Sequence, residues 1–175
     1  MSNILFIVGL PGSGKSTLAK KINKDNGGKY LIIDDPKNFE TDIQPHLDRD
    51  LIITDPQLCF EKNRQKAEER IKSINPDVQI DWIYFENDPE SCLVNDEVRN
   101  RANQISFKPV KNVKTFIENF SKYYTIPSGA TVVEVYNRND RWFKIWDIYK
   151  TIAILPKKKR FWKSPVLFRQ KKDFS

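Results

Sequence analysis

The chain has 175 residues, of which 39% are hydrophobic and 30% charged, and its formal net charge is +7. That length suits one domain with a sizeable core, and the leading apolar stretch is too short for a membrane span and lacks the basic leader of a signal peptide. One histidine (His46) and two distant cysteines (Cys59 and Cys92) exclude a disulfide framework and a zinc site, and make a reducing cytoplasmic setting the default.

Ile4-Leu5-Phe6-Ile7-Val8 is an unbroken apolar run rich in β-branched residues, the pattern of a buried parallel strand. Gly9-Leu10-Pro11-Gly12-Ser13-Gly14-Lys15-Ser16 follows, with Thr17 next. This is G-x-x-x-x-G-K-[ST], a phosphate-binding loop. Glycines 9, 12 and 14 let the backbone turn tightly and aim its N–H groups at an anion, in concert with the N-terminus of the next helix. Lys15 supplies a positive charge that can reach β- and γ-phosphates, and the Ser16 hydroxyl can sit on Mg²⁺. The nucleotide-binding set is therefore Gly9, Pro11, Gly12, Ser13, Gly14, Lys15, Ser16 and Thr17.

Leu18, Ala19 and Ile22 have helical spacing, and Gly27-Gly28 ends that helix. Tyr30 to Ile33 reads as a second buried strand ending in Asp34-Asp35, and Leu51 to Thr54 as a third ending in Asp55. His46, after Pro45, reads as a surface or packing residue. Residues 60–74 form a charged helix with Phe60, Ala67, Ile71 and Ile74 as its inward stripe. Ile80 to Phe85 is a fourth strand, and a helix starts at Pro89 and runs to about Arg99. After an irregular stretch at 102–108, a helix over 109–124 turns Val110, Val113, Phe116, Ile117 and Phe120 inward. Thr131 to Val135 is a fifth strand. Trp142, Ile145, Trp146, Tyr149 and Ile152 mark a last amphipathic helix, its tryptophans reading as core. Alternating strands and helices imply a parallel sheet covered on both faces.

Pro156 closes that pattern, giving a domain over 1–156 and a tail over 157–175. The tail holds eight of the thirty Lys and Arg residues against one acid, Asp173, so the body is neutral and the surplus charge is all in the tail. Lys157 to Arg160 followed by Phe161 and Trp162 reads either as a polyanion-binding segment or as a solubilising terminus whose aromatics pack back on the domain.

Ligands of open parallel sheets bind beyond the C-terminal strand ends. The phosphate loop, the Asp34-Asp35 pair and Asp55 all fall there. One carboxylate can help to hold Mg²⁺ while another accepts the proton of an attacking hydroxyl; each can equally cap a turn. Arg99 and Arg101 read as lid arginines closing on the transferred phosphoryl group, or as solvated surface charges.

With these residues in order, residues 1–136 resemble the kinase domain of bacteriophage polynucleotide kinase and the wider group of small phage-type P-loop kinases. The anchors are Gly9 to Thr17, Asp34-Asp35, Ile52-Ile53-Thr54-Asp55, and Tyr84-Phe85-Glu86-Asn87-Asp88-Pro89-Glu90 leading to Arg99 and Arg101. The resemblance implies an α/β P-loop kinase-like three-layer sandwich, with a five-stranded parallel sheet, helices on both faces and here a basic C-terminal tail. It implies ATP and Mg²⁺ as cofactors. Lys15 and Ser16 would bind nucleotide and metal, Asp35 would be the general base, Asp55 would support the metal, and Arg99 or Arg101 would be the lid arginine. Asp34 and Lys37 would lie on the acceptor side; where the family carries an arginine three residues after its base, this chain has Asn38. The implied acceptor is a nucleic-acid 5′-hydroxyl, a nucleotide or a hydroxymethylated base, in a host cytoplasm if the chain is phage-encoded; the tail over 157–172, which the resemblance does not reach, is by its charge a candidate contact to polynucleotide. A nucleoside or nucleotide kinase is the second reading. An NTP-dependent nucleic-acid-binding protein is the third, although Asn23-Lys24-Asp25-Asn26 misses the last residue of an N-K-x-D guanine signature.

Overall fold

A computed structural model describes residues 2–102 and 113–137, apart from the side chains of 100–102. The 103–108 stretch, the start of the 109–124 helix, the helix about Trp142 and Trp146, and the basic tail lie outside the described residues. Five parallel strands form one sheet: β1 (Asn3–Val8), β2 (Leu31–Asp34), β3 (Leu51–Thr54), β4 (Gln79–Phe85) and β5 (Thr131–Val133), in the order β2-β3-β1-β4-β5. The helices are α1 (Lys15–Asp25), the single turn α2 (Phe39–Asp42), α3 (Glu61–Ile74), α4 (Pro89–Ala102) and α5 (Val113–Tyr123), with 3-10 turns at Gln44–His46 and Pro56–Cys59. No helix among the described residues is long and apolar enough to cross a membrane.

The order follows from burial. The continuous apolar runs of β1 and β3 take interior positions, where both faces are covered, and Ile4 to Val8 and Leu51 to Ile53 are wholly buried. Parallel strands joined by right-handed crossovers then put the β1-to-β2 connection, α1, on one face and the β3-to-β4 connection, α3, on the other, because the two steps run in opposite directions across the sheet. Phe6 and Trp82 are register partners on β1 and β4, and their rings stack with centroids 4.3 Å apart.

Three expectations change. Strand β2 is half-buried rather than buried, because it lies at a sheet edge with β3 as its one neighbour. Phe116 is half exposed; Ile117 and Phe120 supply the buried face of α5. The inward stripe of α3 runs through Arg64 and Ile71, with Ala67 partly buried between them, and leaves Ile74 44% exposed at the helix end.

Arg64 is 5% exposed, and its guanidinium satisfies main-chain and hydroxyl acceptors rather than a carboxylate. Nη1 donates to the carbonyls of Leu58 (2.8 Å) and Cys59 (3.0 Å), Nη2 donates to Thr125 Oγ1 (2.9 Å), and the group lies over the Tyr84 ring. It thereby ties the turn after β3 to the segment after α5. Arg64→Ala removes these bonds, strands their acceptors and opens a cavity. The expected loss is about 3 kcal/mol, or about 6–12 °C in melting temperature for a domain this size. Denaturant and thermal melts test this; a loss below about 1 kcal/mol would mean that water replaces the guanidinium freely.

Candidate functional site

The order β2-β3-β1 gathers three strand ends. β1 runs into the phosphate loop, and beside it β3 ends at Thr54-Asp55 and β2 at Asp34-Asp35. Gly14 takes a left-handed conformation (φ 103°) as the N-cap of α1, and no side chain caps that helix, which leaves its first N–H groups without a side-chain acceptor. Ser16 and Thr17 stand on that first turn, partly buried and exposed respectively.

Gly12 is required by two constraints. Its φ is +83°, and a Cβ there would stand 2.4 Å from the Cys92 carbonyl oxygen of α4, a main-chain atom that cannot swing aside. Gly12→Ala is expected to cost about 2 kcal/mol or more and, with the loop read as a nucleotide site, to weaken ADP binding at least about tenfold, since relief requires moving either the loop or the helix. Calorimetric titration with ADP, paired with a thermal melt, reads both effects; unchanged ADP affinity would refute the tight loop–helix contact.

Lys15 is buried. Its Nζ donates to the carbonyls of Gly9 and Leu10, each at 2.9 Å, which uses two of the three ammonium donors. Burial is the largest influence on it and holds its pKa below the ordinary lysine value; the negative charges of Asp34 and Asp55 act in the opposite direction. Both thiols are themselves buried, and burial pushes each up to about 12, so they line the Lys15 environment as neutral groups.

The carboxylates fall into distinct settings. Asp34 accepts from Thr54 Oγ1 on its β3 register partner, and its charge reaches Lys15. Asp35 adopts a left-handed backbone (φ 56°), its N–H donates to the Thr54 carbonyl at 2.7 Å, and its exposed carboxylate pairs with Lys37. Asp55 caps the Pro56–Cys59 turn, accepting from the Gln57 N–H at 2.7 Å. Burial raises the Asp55 pKa, with the Asp35 charge adding to that, against the Gln57 bond and the two lysines. Asn38 caps α2 by accepting from the N–H groups of Glu40 and Thr41, so this position serves local folding and Lys37 is the nearby cation.

Lys15, Asp34, Asp35, Asp55 and Lys37 thus form one electrostatic cluster at the strand ends. Arg99 is half exposed on α4 and paired with the buried Asp96; Arg101 lies on the same helix, its side chain outside the described residues. His46 is a partly buried residue of the 3-10 turn Gln44–His46.

Three residues escaped sequence reading. Arg64 carries a faint signal, a charge at stripe spacing with Ala67 and Ile71. Tyr124 has none: its hydroxyl donates to the Phe85 carbonyl at 2.5 Å, with the Val8 carbonyl at 3.3 Å, bracing the ends of β4 and β1. Asn95, buried on α4, donates from Nδ2 to the Gly12 carbonyl at 3.0 Å and to the Tyr136 carbonyl.

The site's oxygen donors suit Mg²⁺. Among the described residues no group of three His, Cys, Asp or Glu side chains could hold a metal. Magnesium needs none, since it is held by one or two carboxylates, a hydroxyl, water and substrate phosphates. Ser16 on the first turn of α1 and the half-buried Asp55 match that donor set.

No family model matches the chain. An uncharacterized protein of Acanthamoeba polyphaga mimivirus is 28% identical over 129 residues, covering 70% of this chain and 86% of the viral protein. Among solved structures, a fungal RNA kinase superposes with a TM-score of 0.56 at 13% identity, over 87% of this chain and 84% of the other. At that identity the likeness is one of fold: a five-stranded parallel α/β sheet flanked by helices, similar to that of an RNA kinase.

Proposed function

We propose that this protein is an ATP- and Mg²⁺-dependent kinase that transfers the γ-phosphoryl group to a hydroxyl of a nucleic acid or nucleotide. The observation that carries this reading is the meeting of a lysine-bearing phosphate loop with carboxylates from two adjacent strand ends, through the order β2-β3-β1. A fold shared with a fungal RNA kinase makes RNA ends the first acceptor to try.

In this reading the loop N–H groups and Lys15 hold the β- and γ-phosphates, and Lys15 balances charge in the transition state. Ser16 and Asp55 would hold Mg²⁺, which when bound would supply positive charge against the phosphates. Asp35 accepts the proton as the acceptor oxygen forms its bond to the γ-phosphorus. The bond to the bridging oxygen breaks and ADP leaves. Asp34 and Lys37 face the acceptor, and Arg99 or Arg101 supplies charge from α4. Lys15, Asp35, Arg99 and Arg101 are the catalytic set.

The test is incubation of the full chain with γ-labelled ATP and Mg²⁺. The acceptors are 5′-hydroxyl RNA, 5′-hydroxyl DNA, nucleosides, nucleotides and DNA carrying hydroxymethylated bases. Label on an oligonucleotide end that falls steeply with salt supports a polynucleotide acceptor, with the basic tail as its contact. Label on small acceptors, unaffected by salt, supports the nucleotide-kinase form, which the commitment of Asn38 to its own helix favours. ADP binding with label on no acceptor would overturn the kinase reading.

A further inference from the structure

We propose that Asn95 is a positioning residue that locks the phosphate loop to helix α4 and so sets where Arg99 stands relative to the loop. The carboxamide is 7% exposed, and its nitrogen serves two main-chain carbonyls, Gly12 in the loop and Tyr136 just beyond β5. An amide nitrogen has two hydrogens, and each has an acceptor here; both partners being acceptors, the nitrogen and not the oxygen must face them. One side chain therefore joins three segments that are far apart in sequence.

The surrounding contacts run the same way. The main chains touch directly where the Cys92 carbonyl stands against Gly12, leaving no room for a Cβ. One turn before Asn95, Ser91 Oγ accepts from Asn137 Nδ2 at 3.4 Å. Arg99 follows Asn95 by four residues, on the same face of α4 one turn on, and the buried Asp96 pairs with it. A helix held this way cannot slide against the loop without breaking the Asn95 bonds. Its arginine is thereby referenced to the phosphate site. The Arg99 half of this inference rests on the kinase reading; the loop half does not.

Three measurements on the full chain test it. The first needs no ligand: hydrogen exchange at the Ser13 amide, which donates within the loop to the Leu10 carbonyl at 3.2 Å. Asn95→Ala is expected to speed it about tenfold, and Asn95→Asp more, although Asp is nearly isosteric, because an oxygen then opposes two carbonyls. Exchange in β1 and β3 should not change. The second is ADP affinity, expected to fall about tenfold in Asn95→Ala. The third is a double-mutant cycle on kcat, in which Arg99→Ala costs at least about fivefold less in the Asn95→Ala background than in the parent. Loop exchange unchanged in both Asn95 variants overturns the proposal, and so does an additive cycle, which would mark Asn95 as a packing residue alone. If Asn95→Ala fails to fold, Asn95→Ser, which keeps one donor, is judged by the same loop exchange. If the parent binds ADP but transfers to no acceptor, the kinase reading falls, while loop exchange and ADP affinity still decide the role of Asn95.

Discussion

In the proposed kinase reaction, Lys15→Met is expected to lower phosphoryl transfer by about 10³ while leaving the melting temperature unchanged or slightly higher. The two halves have one cause. The ammonium is buried, and desolvation is the largest influence on it, holding its pKa down. Its hydrogen bonds to the Gly9 and Leu10 carbonyls offset part of that cost. Methionine keeps the length and apolar stem of the side chain and relieves the buried charge, so the fold loses little. Transfer loses the charge-assisted bond to the phosphates, which counts most where charge develops in the transition state. Steady-state kinetics, ADP titration and a thermal melt on one preparation check the claim. A melting temperature that falls by more than about 5 °C would make Lys15 a structural residue of the loop. The lowered pKa adds a pH test. Lys15 loses its proton at lower pH than an ordinary lysine, so ADP affinity in the parent should fall on the alkaline side before lysines normally titrate, and Lys15→Met should lack that limb.

Asp35→Asn is expected to retain ADP affinity and stability while slowing transfer by about 10² or more, as loss of a general base does. The backbone makes this substitution the informative one. Asp35 sits at φ 56°, a conformation that Asn accepts as readily as Asp, and its N–H bond to the Thr54 carbonyl involves no side-chain atom. The ion pair with Lys37 is exposed on both sides and contributes little to stability. Asp35→Ala, by contrast, adds a backbone penalty of about 1 kcal/mol, and its kinetic effect mixes chemistry with a displaced turn. Parallel kinetics of both variants, with Asp34→Asn as the comparison, assign the base. If Asp34→Asn slows transfer by 10² and Asp35→Asn does not, the two carboxylates exchange roles, with Asp34 acting from the Lys15 side where its charge is felt.

Much of this architecture is legible in the chain because its signals are local. The phosphate loop depends on glycines at fixed spacing. β1 and β3 announce themselves as apolar runs, β4 as an aromatic and isoleucine-rich stretch interrupted by Asp81, and Asp34, Asp35 and Asp55 fall at strand ends by position alone. Long-range partners are less legible. Sequence placed Ile74 and Phe116 on inward stripes, but a stripe is defined by the helix and burial by what packs against it; the structure buries Ile117 as expected, buries Arg64 as well, and leaves Ile74 and Phe116 half exposed. β2 looks as apolar as β3, and only the strand order makes it an edge.

By itself, then, the sequence determined the phosphate loop, the alternation of strands and helices, and the residue types offered at the strand ends, all consequences of backbone periodicity and glycine conformation over a few residues. Only the tertiary structure decided that the charges of Asp34 and Asp55 reach Lys15 while Asp35 pairs with Lys37, that Asn38 caps its own helix, and that Asn95 and Cys92 clamp α4 against Gly12. The physical reason is that a hydrogen bond between Asn95 and Gly12 spans 83 positions of chain. Neither residue's local pattern registers the other, and the contact forms only because the sheet brings the end of β1 beside the helix that follows β4.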